Sequence, residues 1–260
     1  MVRRKSVISR FLYWLYGRSI KQDLRGAALP QHIGMIIDGN RRWAKQLGLP
    51  TAAEGHRAGA QKMVEFLEWS DELGIQMVTL YLLSHDNLKN RSDAEITDLV
   101  QIIAELATRI ADRDGWKVKH VGSVQGLPDL LCEALTAAET KTQGNSGMHI
   151  NLAVGYGGRG EIVDAVKKIL LEISEHPETI EQRAGELTPE LISAHLYTGG
   201  LPDPDLVIRT SGEQRLSDFM LWQSAHSEFY FVEALGPDLR EVDLLRALRD
   251  YARRQRRYGG

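Results

Sequence analysis

The sequence predicts a single α/β domain: a mostly parallel six-stranded sheet flanked by helices. Three observations predict it. Six short runs rich in Ile, Val and Leu punctuate the chain, segments with helical periodicity lie between them, and no repeat, low-complexity tract or linker divides the 260 residues. The expected strands are Ile33–Ile37, Met77–Leu83, Lys117–Val121, His149–Val154, Leu206–Ile208 and Glu228–Val232. Short apolar runs of this kind suit strands buried on both faces. The first expected helix is Arg57–Glu72, where Ala60, Met63, Val64 and Leu67 recur at helical spacing. The next is Asp93–Ile110, with Ser92 placed as its cap and Glu95 three residues on. Pro128–Lys141, Glu161–Ile173, Pro189–Leu196 and Glu241–Arg256 complete the set.

Composition narrows the function. The formal net charge is −3, so no overall basic field points to nucleic acid. The one cysteine, Cys132, rules out a disulfide framework and fits a reducing, cytoplasmic setting. It falls in a helix-like run, Leu127–Thr142, which suits an inert thiol better than a nucleophile. No apolar run reaches membrane-spanning length. Residues 1–29 read as a distinct basic and aromatic segment. Arg3, Arg4 and Lys5 precede Phe11-Leu12-Tyr13-Trp14-Leu15-Tyr16, but the apolar stretch is short and no small-residue cleavage site follows. Such a segment can lie peripherally on a membrane surface or pack as a helix on its own domain.

In open parallel sheets ligands bind beyond the carboxyl ends of the strands, so motifs that follow a strand carry the most weight. The first strand ends in Ile36-Ile37-Asp38-Gly39-Asn40-Arg41-Arg42-Trp43. Helix N–H groups and two arginines favour an anion there, and a carboxylate among such donors suggests a divalent cation bridging it to phosphate. Asp38 could equally cap the helix. The second strand runs into Ser84-His85-Asp86-Asn87. The fifth runs into Arg209-Thr210-Ser211-Gly212-Glu213-Gln214-Arg215-Leu216-Ser217, two arginines and hydroxyls suited to phosphate. Glu228 opens the last strand and offers a second carboxylate, with His226 and His56 as candidate proton carriers.

The fourth strand leads into Gly155-Tyr156-Gly157-Gly158-Arg159-Gly160, a literal match to the dinucleotide fingerprint of an oxidoreductase. That reading lacks the second strand, with its ribose-binding acid, expected about 20 residues on. The sequence there is helical and polar through Glu172–Glu190 instead.

Together these segments resemble the cis-prenyltransferase family, which includes undecaprenyl diphosphate synthases. The resemblance runs from about Pro30 to the C-terminus, through His32 to Trp43, Gly55-His56-Arg57-Ala58-Gly59, Gly155 to Arg159, Asp205 to Ser217 and Trp222 to Phe231. It implies a catalytic domain over residues 30–260, an apolar tunnel for the prenyl chain, and condensation of isopentenyl diphosphate with an allylic diphosphate. Asp38 would bind Mg²⁺ and help the allylic diphosphate leave. Gly39, Asn40, Arg41 and Arg42 would cradle that diphosphate, with Trp43 at the mouth and His56 nearby. Ser84 and Asn87 match positions that assist deprotonation, beside Asp86 and Leu88 on the substrate side. Arg209, Arg215 and Ser217 would hold isopentenyl diphosphate. Glu228 would join the metal, within one chain or across a homodimer, and Arg257 and Gly259, in an Arg-x-Gly terminus, would reach a partner's site in that dimer.

Departures from the family pattern bear on the product. Leu49-Pro50-Thr51-Ala52-Ala53-Glu54 lacks an arginine usual before the Gly-His. Ser84-His85-Asp86-Asn87-Leu88 replaces Ser-x-Glu-Asn-Trp, and the following arginine is displaced to Arg91. Leu82 stands where long-chain members tend to carry alanine. Bulk there favours a short product such as (2Z,6E)-farnesyl diphosphate from geranyl diphosphate, as in actinobacterial members. The alternative is a decaprenyl or undecaprenyl carrier-lipid synthase.

Overall fold

The computed structural model describes residues 16–174, 184–185 and 187–254. Its strands are β1 (His32–Ile36), β2 (Met77–Ser84), β3 (Lys117–Val121), β4 (His149–Tyr156), β5 (Leu206–Arg209) and β6 (Glu228–Phe231). They form one six-stranded sheet in the order β3-β4-β2-β1-β5-β6, and every pairing is parallel. Each expected strand is present; the sheet is wholly rather than mostly parallel.

The helices are α1 (residues 16–23 of it described), α2 (Asn40–Gln46), α3 (Ala52–Glu72), α4 (His85–Asn90), α5 (Asp93–Ala111), α6 (Asp129–Thr142), α7 (Gly158–Ser174), α8 (Pro189–His195) and α9 (Glu241–Arg253). Parallel strands need crossovers, and these helices supply them on both faces. Helices α2 and α4 are too short to show an apolar period. Helix α3 starts at Ala52, ahead of the expected Arg57, and carries Gly55 and Gly59 in its first turns. Those glycines have a packing cause. A Cβ on Gly55 would collide with the Asn40 carbonyl oxygen, and one on Gly59 would lie 2.5 Å from Asn40 Oδ1. The missing side chains let α3 seat directly on the start of α2.

The main core lies between one sheet face and α3, α5, α6 and α9. A smaller cluster on the other face gathers Ile36, Val121, Ala153, Tyr156, Val207, Phe219 and Met220. The described part of the N-terminal segment packs on its own domain. Ile20 and Leu24 are buried in the main core, Lys21 pairs with Glu241, and the Arg246 guanidinium lies 5.1 Å from the Tyr16 ring centre. Residues 1–15, where the membrane-surface expectation falls, are outside the described residues. No helix of the described residues is long and apolar enough to cross a membrane.

β1 is central, with β2 on one side and β5 on the other, so the chain winds outward from it in both directions. Such a switch point opens a crevice at the strands' carboxyl ends. The opposite end is sealed by a buried polar staple. His32 Nδ1 lies 2.8 Å from the Pro202 carbonyl oxygen, and Nε2 lies 2.7 Å from Thr79 Oγ1, which also accepts from Asn151 Nδ2. A carbonyl only accepts, so Nδ1 carries the proton and Nε2 accepts from the Thr79 hydroxyl.

Burial holds His32 below the ordinary histidine pKa, against a smaller opposing pull from the Pro202 carbonyl. The unfolded chain therefore binds a proton that the folded chain refuses. Stability from this group is present above the unfolded pKa, about 6.5, and is lost as pH falls below it. His56, also depressed, acts in the same direction. The thermal midpoint should drop between pH 7 and pH 5.5, and His32→Asn should flatten that slope. An unchanged slope in the variant would remove His32 as a cause.

Candidate active site

The site begins where β1 ends. Gly39 takes φ 92°, a left-handed conformation that turns the chain so that α2 starts at Asn40. A Cβ there would lie 2.7 Å from Leu235 Cδ2, so glycine is required twice over. The Asp38 N–H donates to Thr210 Oγ1 at 2.7 Å, and the Thr210 hydroxyl donates to the Asp38 carbonyl at 2.8 Å. This double tie fixes the Asp38 backbone to the end of β5. Its carboxylate accepts from the Gly39 N–H (2.6 Å) and from Arg209 Nη2 (2.6 Å). Gly39 is the N-cap of α2 and α2 has no side-chain cap, so Asp38 does not serve as the helix cap. Burial opposes ionisation of Asp38, but the Arg209 guanidinium and the Gly39 N–H outweigh it and hold the carboxyl below its ordinary range.

Arg209 organises the other half. Its side chain is 4% exposed, against 36% for Asp38. While Nη2 holds Asp38, Nη1 donates to the Arg215 carbonyl (2.5 Å) and to Ser217 Oγ (2.7 Å). Its Nε is buried without a protein partner, a donor left for another acceptor. Arg215 and Ser217 stand exposed at the rim.

These residues open into a cavity of about 690 Å³, a size typical of small-molecule sites. Asp38, Gly39, Asn40, Arg41, Arg42 and His56 line it on one side, and Ser84, Asp86, Asn87, Arg91, Arg209, Arg215 and Ser217 continue the polar lining. Met63 of α3, Leu82 of β2, and Leu99, Ile102, Ile103 and Leu106 of α5 supply apolar lining. Ser84 caps α4 by accepting the Asn87 N–H at 3.0 Å. The displaced Arg91 still reaches the cavity, where Nη1 lies 2.5 Å from Glu95 Oε1 and 3.4 Å from His56 Nε2.

Not every expected residue converges. Trp43 and Leu88 are not among the lining residues; Leu88 packs against the main core. Glu228 sits at the far end of the sheet. It pairs with Leu206 at the start of β5, whereas Arg209, which reaches Asp38, pairs with Phe231 three residues later. Glu228 meets Arg254 at 3.1 Å, so one chain does not bring the two carboxylates together. His226 is exposed at that same far end. Arg257 and Gly259 lie outside the described residues.

Two carboxylates escaped the sequence reading. Glu95 Oε1 gathers Arg91 (2.5 Å), His56 (3.4 Å) and Arg41 (3.6 Å). Glu213 joins Arg215 (2.5 Å) to Arg42 (3.4 Å). The only sequence signal for Glu95 was its capping spacing from Ser92, and Glu213 gave none. His56 is buried, and its pKa is held down first by that burial and then by the Arg91 charge, against Glu95. It is therefore neutral near pH 7 and is placed to offer a hydrogen bond rather than a charge.

Among the described residues no group of three or more His, Cys, Asp or Glu could enclose a metal ion. The donors fit Mg²⁺ in the other common way, as one accessible carboxylate whose remaining ligands are substrate phosphate oxygens and water. The glycine-rich turn does not fit a dinucleotide. Asp218 Oδ1 accepts the Arg159 N–H at 3.1 Å, and a Cβ on Gly157 would stand 2.7 Å from Asp218 Oδ2. The protein's own carboxylate fills the place of the pyrophosphate.

The sequence and the fold both match known proteins. The prenyltransferase family model described as undecaprenyl diphosphate synthase matches residues 36–259. An isoprenyl transferase of Tropheryma whipplei is 54% identical over 258 residues, 97% of this chain and 96% of that protein. The (2Z,6E)-farnesyl diphosphate synthase of Thermobifida fusca is 52% identical over 248 residues, 95% of this chain and 97% of that protein. Among solved structures, lavandulyl diphosphate synthase from Lavandula x intermedia, in complex with dimethylallyl diphosphate, superposes with a TM-score of 0.82 at 37% identity, covering 89% of this chain and 99% of that one. With its Asp38–Arg209 pair at the β1–β5 crevice, the chain belongs to the undecaprenyl diphosphate synthase family of cis-prenyltransferases.

Proposed function

We propose that the chain condenses isopentenyl diphosphate with geranyl diphosphate, in the presence of Mg²⁺, to give a short Z-prenyl diphosphate such as (2Z,6E)-farnesyl diphosphate. Gly39, Asn40, Arg41 and Arg42 hold the allylic diphosphate at the start of α2. Arg209, Arg215 and Ser217 hold the isopentenyl diphosphate at the end of β5. The allylic C–O bond breaks with its electron pair leaving on the diphosphate. The isopentenyl double bond forms the new C–C bond, and the surplus proton passes to an oxygen, for which the released diphosphate is at hand. A bound Mg²⁺, held by Asp38, would neutralise charge on the leaving diphosphate. Arg41, Arg42 and Arg209 stabilise that developing charge from fixed positions.

The observation that carries the short product is Leu82. It lines the cavity from a bulged stretch of β2, where pairing to β4 jumps from Tyr81 opposite Ala153 to Leu83 opposite Val154. Leu82 is thus the extra residue of the bulge, and it packs against the main core together with Leu80 and Leu83. Its bulk shares the cavity lining with Met63 of α3 and Leu99 to Leu106 of α5, and on this reading a growing chain meets it. Forcing methylenes into filled space costs about 1–3 kcal/mol, about 5–150-fold against the next addition. The relative named (2Z,6E)-farnesyl diphosphate synthase supports the same length. Labelled isopentenyl diphosphate with C10 and C15 primers tests it. Wild type should stop at short products and Leu82→Ala should lengthen them. Products of C50 or more from wild type would sink the short-chain reading.

We further propose a homodimer. β6 is the outer strand of the sheet, and its Phe229, Tyr230 and Phe231 are only half-buried, with the two phenylalanine rings stacked 6.5 Å apart. A second copy against this edge would cover them, and it offers the route by which Glu228, Arg257 and Gly259 could serve a neighbouring site.

A further inference from the structure

The loop from β5 to the 3-10 turn at Gln223–His226 carries four non-glycine residues with positive φ: Ser211 (79°), Ser217 (50°), Asp218 (65°) and Met220 (46°). Such backbone persists only where surrounding contacts dictate it. Three of the four fall within Ser217–Met220, directly behind the Ser217 hydroxyl that accepts from Arg209. The contacts that hold this stretch converge on Asp218. Its carbonyl accepts the Gly158 N–H at 2.7 Å, and its carboxylate Oδ1 accepts the Arg159 N–H at 3.1 Å. Both donors lie in the first turn of α7, where free N–H groups and the helix dipole favour an anion. Gly157 and Gly158 keep the socket open, since a Cβ on Gly158 would lie 3.1 Å from the Asp218 carbonyl oxygen. One turn further into α7, buried Glu161 accepts from Gln223 Nε2 at 3.0 Å, anchoring the far end of the same loop. Across the sheet face the Tyr81 hydroxyl donates to the Ser217 carbonyl at 3.1 Å, and its ring stacks on Phe219 at 4.7 Å.

We propose that Asp218 is a positioning residue for the isopentenyl diphosphate half of the site: by plugging the N-terminus of α7 it holds Ser217 and the Arg215 carbonyl against Arg209. The inference rests on the assignment of Arg209, Arg215 and Ser217 to that diphosphate. It gives the glycine-rich turn a task, as the socket for the loop. The allylic half, on Gly39–Arg42, has its own backbone anchors in Thr210 and α3, none of which runs through Asp218.

Asp218→Ala should raise KM for isopentenyl diphosphate about tenfold or more while KM for geranyl diphosphate stays within twofold. Asp218→Asn should remain near wild type, because its amide oxygen still accepts the Arg159 N–H and asparagine tolerates the left-handed region. A purely structural role would instead lower the thermal midpoint and raise both KM values together. Unchanged isopentenyl KM in Asp218→Ala, equal rises in both KM values, or an Asp218→Asn as impaired as the alanine each overturn the proposal. If wild type forms no prenyl product, the substrate assignment fails on its own. Calorimetric titration with inorganic pyrophosphate then decides the clip: weaker binding in Asp218→Ala supports it, and unchanged binding overturns it.

Discussion

Asp38→Ala should lower kcat by about 10²–10³-fold or more, the size of effect seen when one preorganised charge-stabilising group is lost from an active site. The carboxylate is ionised and held from two sides, by the Gly39 N–H and by Arg209, so its position is set before substrate arrives. It also stands among the arginines proposed to hold the diphosphates, where it would anchor a divalent cation. Asp38→Asn separates charge from shape. The amide can still accept the Gly39 N–H, so α2 should start where it does now, but the negative charge is gone. We expect kcat to fall nearly as far as in the alanine variant, with a raised Mg²⁺ requirement. Neither change should unfold the protein, because Thr210 ties the Asp38 backbone independently of its side chain. Steady-state rates at several Mg²⁺ concentrations check this. A kcat within tenfold of wild type for Asp38→Asn would show that geometry, not charge, is what Asp38 provides.

The strands were legible because burial on both faces leaves an apolar run that no turn residue interrupts. Their order was not, since apolarity carries no information about neighbours. Asp38, Arg209, Arg215 and Ser217 were legible because each stands at or beyond the carboxyl end of a strand, where ligands of parallel sheets bind. Glu95 and Glu213 were not, because a carboxylate that organises arginines across a cavity looks in sequence like any surface acid. Asn40 was read as a diphosphate ligand. It lines the cavity, yet its side chain is also wedged against Gly59 and Gly236, which explains glycines that carry no chemistry themselves. The metal pair of Asp38 with Glu228 illustrates the opposite limit. Both residues are strand-associated acids, but Asp38 lies past the end of its strand and Glu228 is the first residue of its own, so a parallel sheet puts them at opposite ends. Leu82 was legible as bulk by family pattern. The bulge that aims it is a property of register between two strands, and only the paired Tyr81, Leu83 and Ser84 reveal it.

Arg209→Ala should be as damaging to activity as the loss of Asp38, and it should destabilise the protein as well. Arg209 is nearly fully buried and spans both halves of the site, with one nitrogen on Asp38 and another on the Arg215 carbonyl and Ser217. Removing it strips the carboxylate of its counter-charge and leaves the Arg215 carbonyl without that donor. Breaking a fully buried ion pair costs about 3–5 kcal/mol. Asp38 is partly exposed and can rehydrate, so the loss here should fall below that range. Arg209→Lys discriminates charge from geometry. Lysine restores a positive charge near Asp38, but a single ammonium cannot reproduce the fork that reaches three acceptors. We therefore expect the lysine variant to recover most of the thermal stability while KM for isopentenyl diphosphate stays raised by about tenfold or more. Melting curves and KM for both substrates, measured on the same preparations, check the two halves separately. A lysine variant with wild-type isopentenyl KM would mean that Arg209 acts only as the counter-ion of Asp38, and that the loop ending at Ser217 is held by its contacts to α7 alone.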